Sequence, residues 1–222
     1  MITLIDLIVI FIIFCWFILF ATNKRIFVYS KHPIAEGVDS FFITLHFIHA
    51  SVYKKIASNL SKEAVRLIGG HIEIQIDEYV YGFETKYKNK IPHIISYEER
   101  KNFNGVFLKK DFLIWLEESK GELITSVKVP VTLKQKQKLI ELYEKNLKET
   151  PYDYAFFGMR CASSAYQMLG TTGIVPAQES NTRYIMSSFF PRLFRKMVLS
   201  WANYNGFEVS VKEGRIDRYW ER

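Results

Sequence analysis

Two side chains far apart in the 222-residue chain have the types and surroundings for nucleophilic chemistry: Cys161 and His71. Cys161 falls in the run GMRCASSAYQMLG, where Gly158 and Gly170 bracket a short predicted helix and place the thiol in its first turn. There, unsatisfied N–H groups and the positive end of the macrodipole favour a thiolate, and Arg160 adjoins it. The small residues Ala162, Ser163, Ser164 and Ala165 would let this helix approach a sheet closely. A thiolate nucleophile also needs a base to take and return a proton, and imidazole, titrating near about 6.5, suits that task. Backbone N–H groups at the helix start would hold an oxyanion.

Five histidines compete for the role of base. His71 is preferred, because an extended strand aims its side chain rigidly and Gly69-Gly70 before it leaves room for a substrate or a helix end. His93, in a loop beside Pro92, comes second, and His32 belongs to a linker. His46 and His49 are three residues apart in the apolar stretch 41–52, with no third ligand or carboxylate nearby, and read as packing or interfacial residues. A third polar group usually orients the imidazole. Glu73 and Gln75 share the face of His71 at two-residue spacing, Glu84 can approach from the paired strand, and the choice among them stays open.

The elements that must carry these groups follow from periodicity. Residues 55–68 read as a helix stopped by Gly69-Gly70. The pattern then changes to period two, with Ile72, Ile74 and Ile76 alternating against His71, Glu73 and Gln75. Asp77-Glu78 reads as a turn, and 79–84 continues as the second strand of a hairpin. Residues 86–105 read as a long basic and aromatic surface excursion, and 106–116 is ambiguous between helix and strand. Residues 123–129 make a strand ended by Pro130, and Thr132 with Gln135 forms a capping box opening a helix to about Lys148, whose inner face is Leu139, Leu142 and Tyr143. Near the C-terminus, the basic aromatic segment FFPRLFRKMVLSWANY reads either as a helix covering the domain or as one lying on an anionic bilayer. Gly214 marks a closing hairpin.

Composition bounds the rest. With 49% apolar and 24% charged residues the chain is a packed protein, not a disordered or low-complexity one. Its two cysteines, Cys15 and Cys161, lie in different surroundings and supply neither a disulfide framework nor a cysteine zinc site. No cofactor or metal is implied. The net charge of +7 favours an anionic neighbour, yet it is spread over the chain, and Lys134, Lys136, Lys138, Lys145 and Lys148 form the solvated face of one helix. No motif points to nucleic acid. From 2 to 21 only Thr3 and Asp6 are polar, and about 20 residues rising roughly 1.5 Å each would cross a hydrocarbon layer of about 30 Å. The first cation is Lys24 and the residues before Ala21 are large, which predicts a retained anchor rather than a cleaved leader, with Cys15 as an apolar filler inside it. Lys24, Arg25 and Lys31 after the span place the bulk of the protein on the cytoplasmic side. The expected organisation is an anchor over 1–22, a linker over 23–40 and one α+β domain over 41–222.

The order GGHIEIQIDEYVYGFE, a strand ending VPVT, the helix LKQKQKLIELYEKNL and then PYDYAFFGMRCASSAYQML resembles the circularly permuted papain-like thiol hydrolases of the NlpC-like superfamily. The resemblance covers roughly residues 65–175. It implies an antiparallel sheet packed on helices, with Cys161 as nucleophile, His71 as base, Glu73 or Glu84 as the third polar residue and Tyr154 assisting near the thiol. Many members carry Asn before the cysteine, where this chain has Arg160. Superfamily substrates include peptide, amide and lipid ester bonds. The implied activity is a membrane-anchored cysteine hydrolase or acyltransferase. The competing expectations are a silent membrane-tethered module for anionic lipid or a partner protein, and a nucleic-acid contact through the lysine-rich helix.

Overall fold

A computed structural model of the chain describes residues 11, 15, 27–32, 41–49, 70–86, 93–95, 104–157, 159–176 and 191–214. They form an α+β fold with one six-stranded antiparallel sheet and four helices. In chain order these are β1 (Phe41–Ile48), β2 (His71–Ile76), β3 (Tyr79–Thr85), β4 (His93–Ile95), β5 (Gly105–Asp111), α1 (Phe112–Glu118) and β6 (Ile124–Val131). Then come α2 (Leu133–Lys148), β7 (Ala155–Phe157), α3 (Cys161–Thr171), α4 (Pro191–Asn205) and β8 (Glu208–Lys212). The strand order is β5-β3-β2-β1-β6-β8, while β4 and β7 pair in parallel as a separate ribbon.

The apolar stretch at 41 is the middle of the sheet. β1 pairs with β2 from Ile43–Ile76 to Ile48–His71 and with β6 from Phe41–Val131 to Ile48–Ile124. Period two divides the two faces. Ile43, Leu45 and Phe47, with Ile72, Ile74 and Ile76, are buried in the main core, where α3 contributes Cys161, Ala162, Ala165 and Leu169. The opposite face carries His46, Glu73 and Val80 under α1, whose Trp115 closes a smaller cluster with Val80 and Ile124.

The predicted hairpin forms, with Asp77 at the turn in the left-handed region (φ 53°). The Thr132 capping box is present, its hydroxyl accepting from the Gln135 N–H at 3.2 Å while Gln135 Oε1 accepts from the Thr132 N–H at 2.9 Å. Losing a cap of this kind costs about 1 kcal/mol, so Thr132→Ala should lower unfolding free energy by that amount in a urea titration with an unchanged slope.

Several expectations change. The ambiguous stretch 106–116 is strand and then helix: β5 hands over at Asp111, whose carboxylate accepts from the Leu113 N–H at 2.8 Å and caps α1. Pro130 lies within β6, opposite Phe42, rather than ending the strand. The β8 ladder on its other side stops at Lys128, so the missing N–H deprives no strand. Gly170 is inside α3, and it is Gly173 (φ 70°), after the C-cap Thr172, that turns the chain away. His93 begins a short strand instead of lying in a loop.

The basic aromatic C-terminal segment becomes the covering helix α4, with Phe194, Met197, Val198, Trp201 and Ala202 buried in the main core. The second strand of the hairpin expected at Gly214 falls outside the described residues, as does the helix expected over 55–68. Of the anchor expected over 2–21, only Phe11 and Cys15 are described, and both are helical. Among the described residues no helix is long and apolar enough to cross a membrane.

Candidate functional site

The site forms where the β2–β3 ladder ends. That ladder runs from Ile76–Tyr79 to Glu73–Gly82, so the pairing with β3 ends two residues short of His71. The α3 helix packs against β2 and β3, and the Ile72 backbone N–H stands near enough to the Cys161 sulfur to favour its ionised form. The His71 imidazole and the same sulfur stand close enough to act on one another's ionisation, each among the leading influences on the other. The two side chains singled out from 90 positions apart in the chain therefore meet.

Local sequence explains the position of Cys161. It is the first residue of α3, after the extended N-cap Arg160 (φ −139°, ψ 175°). The Arg160 N–H donates to Ser163 Oγ at 2.7 Å and its carbonyl accepts from the Ser164 N–H at 2.8 Å, locking the first turn. Ala162, Ser163, Ser164 and Ala165 are all buried, so the small residues bring this turn up to the strands. Cys161 is 3% exposed.

Opposing forces act on the thiol and the ring. Burial pushes the Cys161 thiol up, but His71, through its charge and its hydrogen bond, together with the Arg160 charge and the Ile72 N–H, brings it below the ordinary thiol range. Burial likewise pulls the imidazole down. The Cys161 sulfur, by charge and hydrogen bond, and the carboxylates of Glu73 and Glu84 reverse this and raise His71 to about 10. Both shifts favour a thiolate facing an imidazolium.

The carboxylates converge on one ring atom. His71 Nε2 stands 3.8 Å from Glu73 Oε1 and 3.9 Å from Glu84 Oε1. Glu73 comes from two residues along β2 and Glu84 from β3, as the strand period and the hairpin predict. Gln75, on the same face, is not part of the cluster: its carbonyl accepts from His46 Nε2 at 3.0 Å and its amide donates to the Asp77 carbonyl. Glu73 is the more enclosed acid, with a side chain 4% exposed against 18% for Glu84. Burial raises its pKa, while His71 and a hydrogen bond from the Trp115 indole N–H oppose that rise. The ligand atoms of His71, Glu73 and Glu84 lie within 4.8 Å of one another, and a nitrogen with two carboxylates is a donor set that a divalent cation can use. Lys110, whose charge acts on both acids, opposes such an ion.

Tyr154 approaches from the other side, its hydroxyl donating to Cys161 Sγ at 3.9 Å. Burial raises the phenol, and the Cys161 charge adds to the rise while Arg160 counters it, so Tyr154 stays a neutral donor. Next to it, Tyr152 pairs with Ser164 Oγ at 2.8 Å.

His46, His49 and His32 are structural. His46 is a strand residue, and because Gln75 Oε1 accepts from Nε2, Nδ1 accepts from the Ser126 hydroxyl at 2.8 Å. Burial lowers its pKa to about 4 despite the Gln75 bond, leaving it neutral. His49 bonds Thr125 Oγ1 at 2.8 Å. His32, packed on Trp201 and Phe207, is lowered to about 4 by burial. A shallow pocket lined by Phe41, Phe42, Thr44, Gln75, Asp77 and Lys136 lies at the far end of β2 from His71 and holds no cysteine or histidine.

Two participants were not read from the sequence, Trp115 and Gly82. A buried indole needs an acceptor for its N–H, and Trp115 would have pointed to a buried acid had the start of α1 been placed. No protein-family profile matches the chain, and no curated protein sequence matches it. Among solved structures the chain is similar to the type VI secretion system effector TseH, at 12% identity and a TM-score of 0.47, over 80% of this chain and all of that one.

Proposed function

We propose that the protein is a cysteine hydrolase or acyltransferase of papain-like organisation, acting on an amide or ester bond through Cys161 and His71. The observation that carries this reading is the convergence of the Cys161 thiol and the His71 imidazole at the start of α3, each displaced towards its charged form by the other.

Chemistry follows from the positions. With Nε2 turned to the carboxylates, Nδ1 is the ring atom left to serve the sulfur. The Cys161 thiolate attacks the substrate carbonyl carbon, a C–S bond forms, and the carbonyl π electrons move to oxygen. That oxyanion meets the N–H groups of the first turn of α3, which no preceding intrahelical carbonyl occupies. As the intermediate collapses, the bond to the leaving amine or alcohol breaks and the imidazolium supplies its proton. His71 then takes a proton from water, or from an acceptor amine, which attacks the thioester and releases Cys161. Glu73 and Glu84 sustain the positive charge of the ring. The apolar run 2–21 is part of the same reading as a tether holding the domain at a bilayer, beside lipid-linked or envelope substrates.

The direct test is acyl transfer to the protein from an activated ester such as p-nitrophenyl acetate, followed by intact mass. One acyl group should appear on the native chain and none on Cys161→Ala, which still carries Cys15. Equal acylation of both, or of neither, overturns the hydrolase and leaves a silent binding module.

A further inference from the structure

Glu73 can face His71 only if something fixes its carboxylate from the opposite end. Glu73 Oε1 is the oxygen facing His71 Nε2 at 3.8 Å, while Oε2 accepts from the Trp115 indole N–H. Trp115 is the buried residue of α1, and its ring packs against His46 (4.6 Å between centroids) and Phe112 (5.8 Å), which also stand 6.0 Å from one another. His46 is the cross-strand partner of Glu73, and its own ring is held at both nitrogens by Ser126 and Gln75. On the other side the partner of Glu73 is Gly82, where a Cβ would stand 3.0 Å from Oε1 and 3.1 Å from Cγ of the glutamate. The carboxylate thus lies over a glycine, tied at one oxygen and presented with the other.

We infer that Trp115 is a positioning residue for the proposed reaction: its indole N–H holds Glu73 over Gly82 so that the carboxylate addresses the His71 ring. The device rests on the Cys161–His71 reading and adds to it a helix on the face of the sheet opposite α3. It reaches Cys161 in three steps, from indole to carboxylate, carboxylate to imidazole and imidazole to sulfur. Besides Trp115, the groups acting on Glu73 are His71 on its own strand, Glu84 on β3 and Lys110 on β5, with neutral His46 beside it on β1. Tyr143 of α2 is influenced by it as well. Lys110 is itself paired with Glu118 at 2.8 Å, so the indole supplies the directional contact.

The experiment is a carbon-13 NMR titration of the His71 ring in the full chain, assigned by the signal lost in His71→Gln. The native ring should titrate near 10. Trp115→Phe keeps an aromatic ring and removes the N–H, and should lower that value by about one unit, a tenfold loss of proton affinity. Glu73→Gln should lower it at least as far, and Glu84→Gln, whose acid is more solvated, by less. Should Trp115→Phe fail to fold, Gly82→Ala displaces the carboxylate from below and should give the same fall. A Trp115 that serves only packing would reduce thermal stability and leave the titration in place, and that outcome overturns the inference while the Cys161–His71 reading stands. A native His71 titrating near 6.5 overturns both.

Discussion

Replacing His71 by alanine should slow alkylation of Cys161 by iodoacetamide at neutral pH by one to two orders of magnitude without unfolding the protein. The thiol lies below its ordinary range because the imidazolium and its hydrogen bond outweigh burial, with smaller help from Arg160 and Ile72. Without the ring, burial becomes the leading influence and the thiol rises. A thiol of ordinary pKa near 8.5 is only about 3% ionised at pH 7, and a buried one less, which accounts for a loss of about thirtyfold or more. The higher basicity of the remaining thiolate returns part of this. The pH profile carries the same information. His71 is raised, so what its positive charge stabilises is complete below about pH 6.5 and fades as pH climbs through about 10. Cys161 is lowered, so its contribution is present at alkaline pH and is lost as pH falls through its depressed value. The ion pair occupies the window between, and hydrolysis, which needs the imidazolium as acid, should decline near pH 10. Alkylation rates equal in the native chain and His71→Ala across pH 6–9 would show that the ring does not govern the sulfur.

The parts of this site that could be read from the sequence are those with a strong local period. Ile72, Ile74 and Ile76 alternate so regularly with His71, Glu73 and Gln75 that the strand, its faces and the reach of Glu84 from the next strand follow directly. The glycines and small residues around Cys161 likewise mark a helix start pressed on a sheet, although the terminating glycine is Gly173 and not Gly170. Periodicity failed where two periods meet. Residues 106–116 are apolar at both spacings because β5 passes into α1 at Asp111 without a connecting loop. That junction places Trp115, so the indole over Glu73 was invisible although Glu73 was not. Gln75 shows the converse. It shares the face of His71, and only the position of His46 across the ladder decides that its amide is spent elsewhere. Pro130 misleads for a related reason: whether a proline ends a strand depends on where the neighbouring strand stops, which is a tertiary fact.

The second large effect concerns the floor beneath Tyr154. Gly105→Ala should lower unfolding free energy by about 3 kcal/mol, at the upper end for one added methyl group in a packed core. Gly105 opens β5 opposite Thr85, and a Cβ there would stand 2.5 and 2.7 Å from ring carbons of Phe83 and 3.1 Å from the Tyr154 backbone nitrogen. The Phe83 ring cannot simply retreat, because it is 2% exposed and packs on Phe107, Tyr152 and Tyr154 at centroid distances of 4.9, 5.2 and 5.2 Å. The strain must then pass to the segment that carries Tyr154 and leads into Cys161. Gly121→Ala separates this clash from backbone conformation. Gly121 has φ 85° with nothing within 4 Å of the added carbon, so its cost is the left-handed backbone alone, about 1 kcal/mol. Urea titrations of the two variants should therefore differ by about 2 kcal/mol. Because Tyr154 donates to the Cys161 sulfur, Gly105→Ala should also change the rate of Cys161 alkylation under conditions where the chain remains folded, and Gly121→Ala should not. Equal costs for the two glycines, or a Gly105→Ala protein whose sulfur reacts as before, would mean that the aromatic cluster yields to the methyl group without disturbing the site above it.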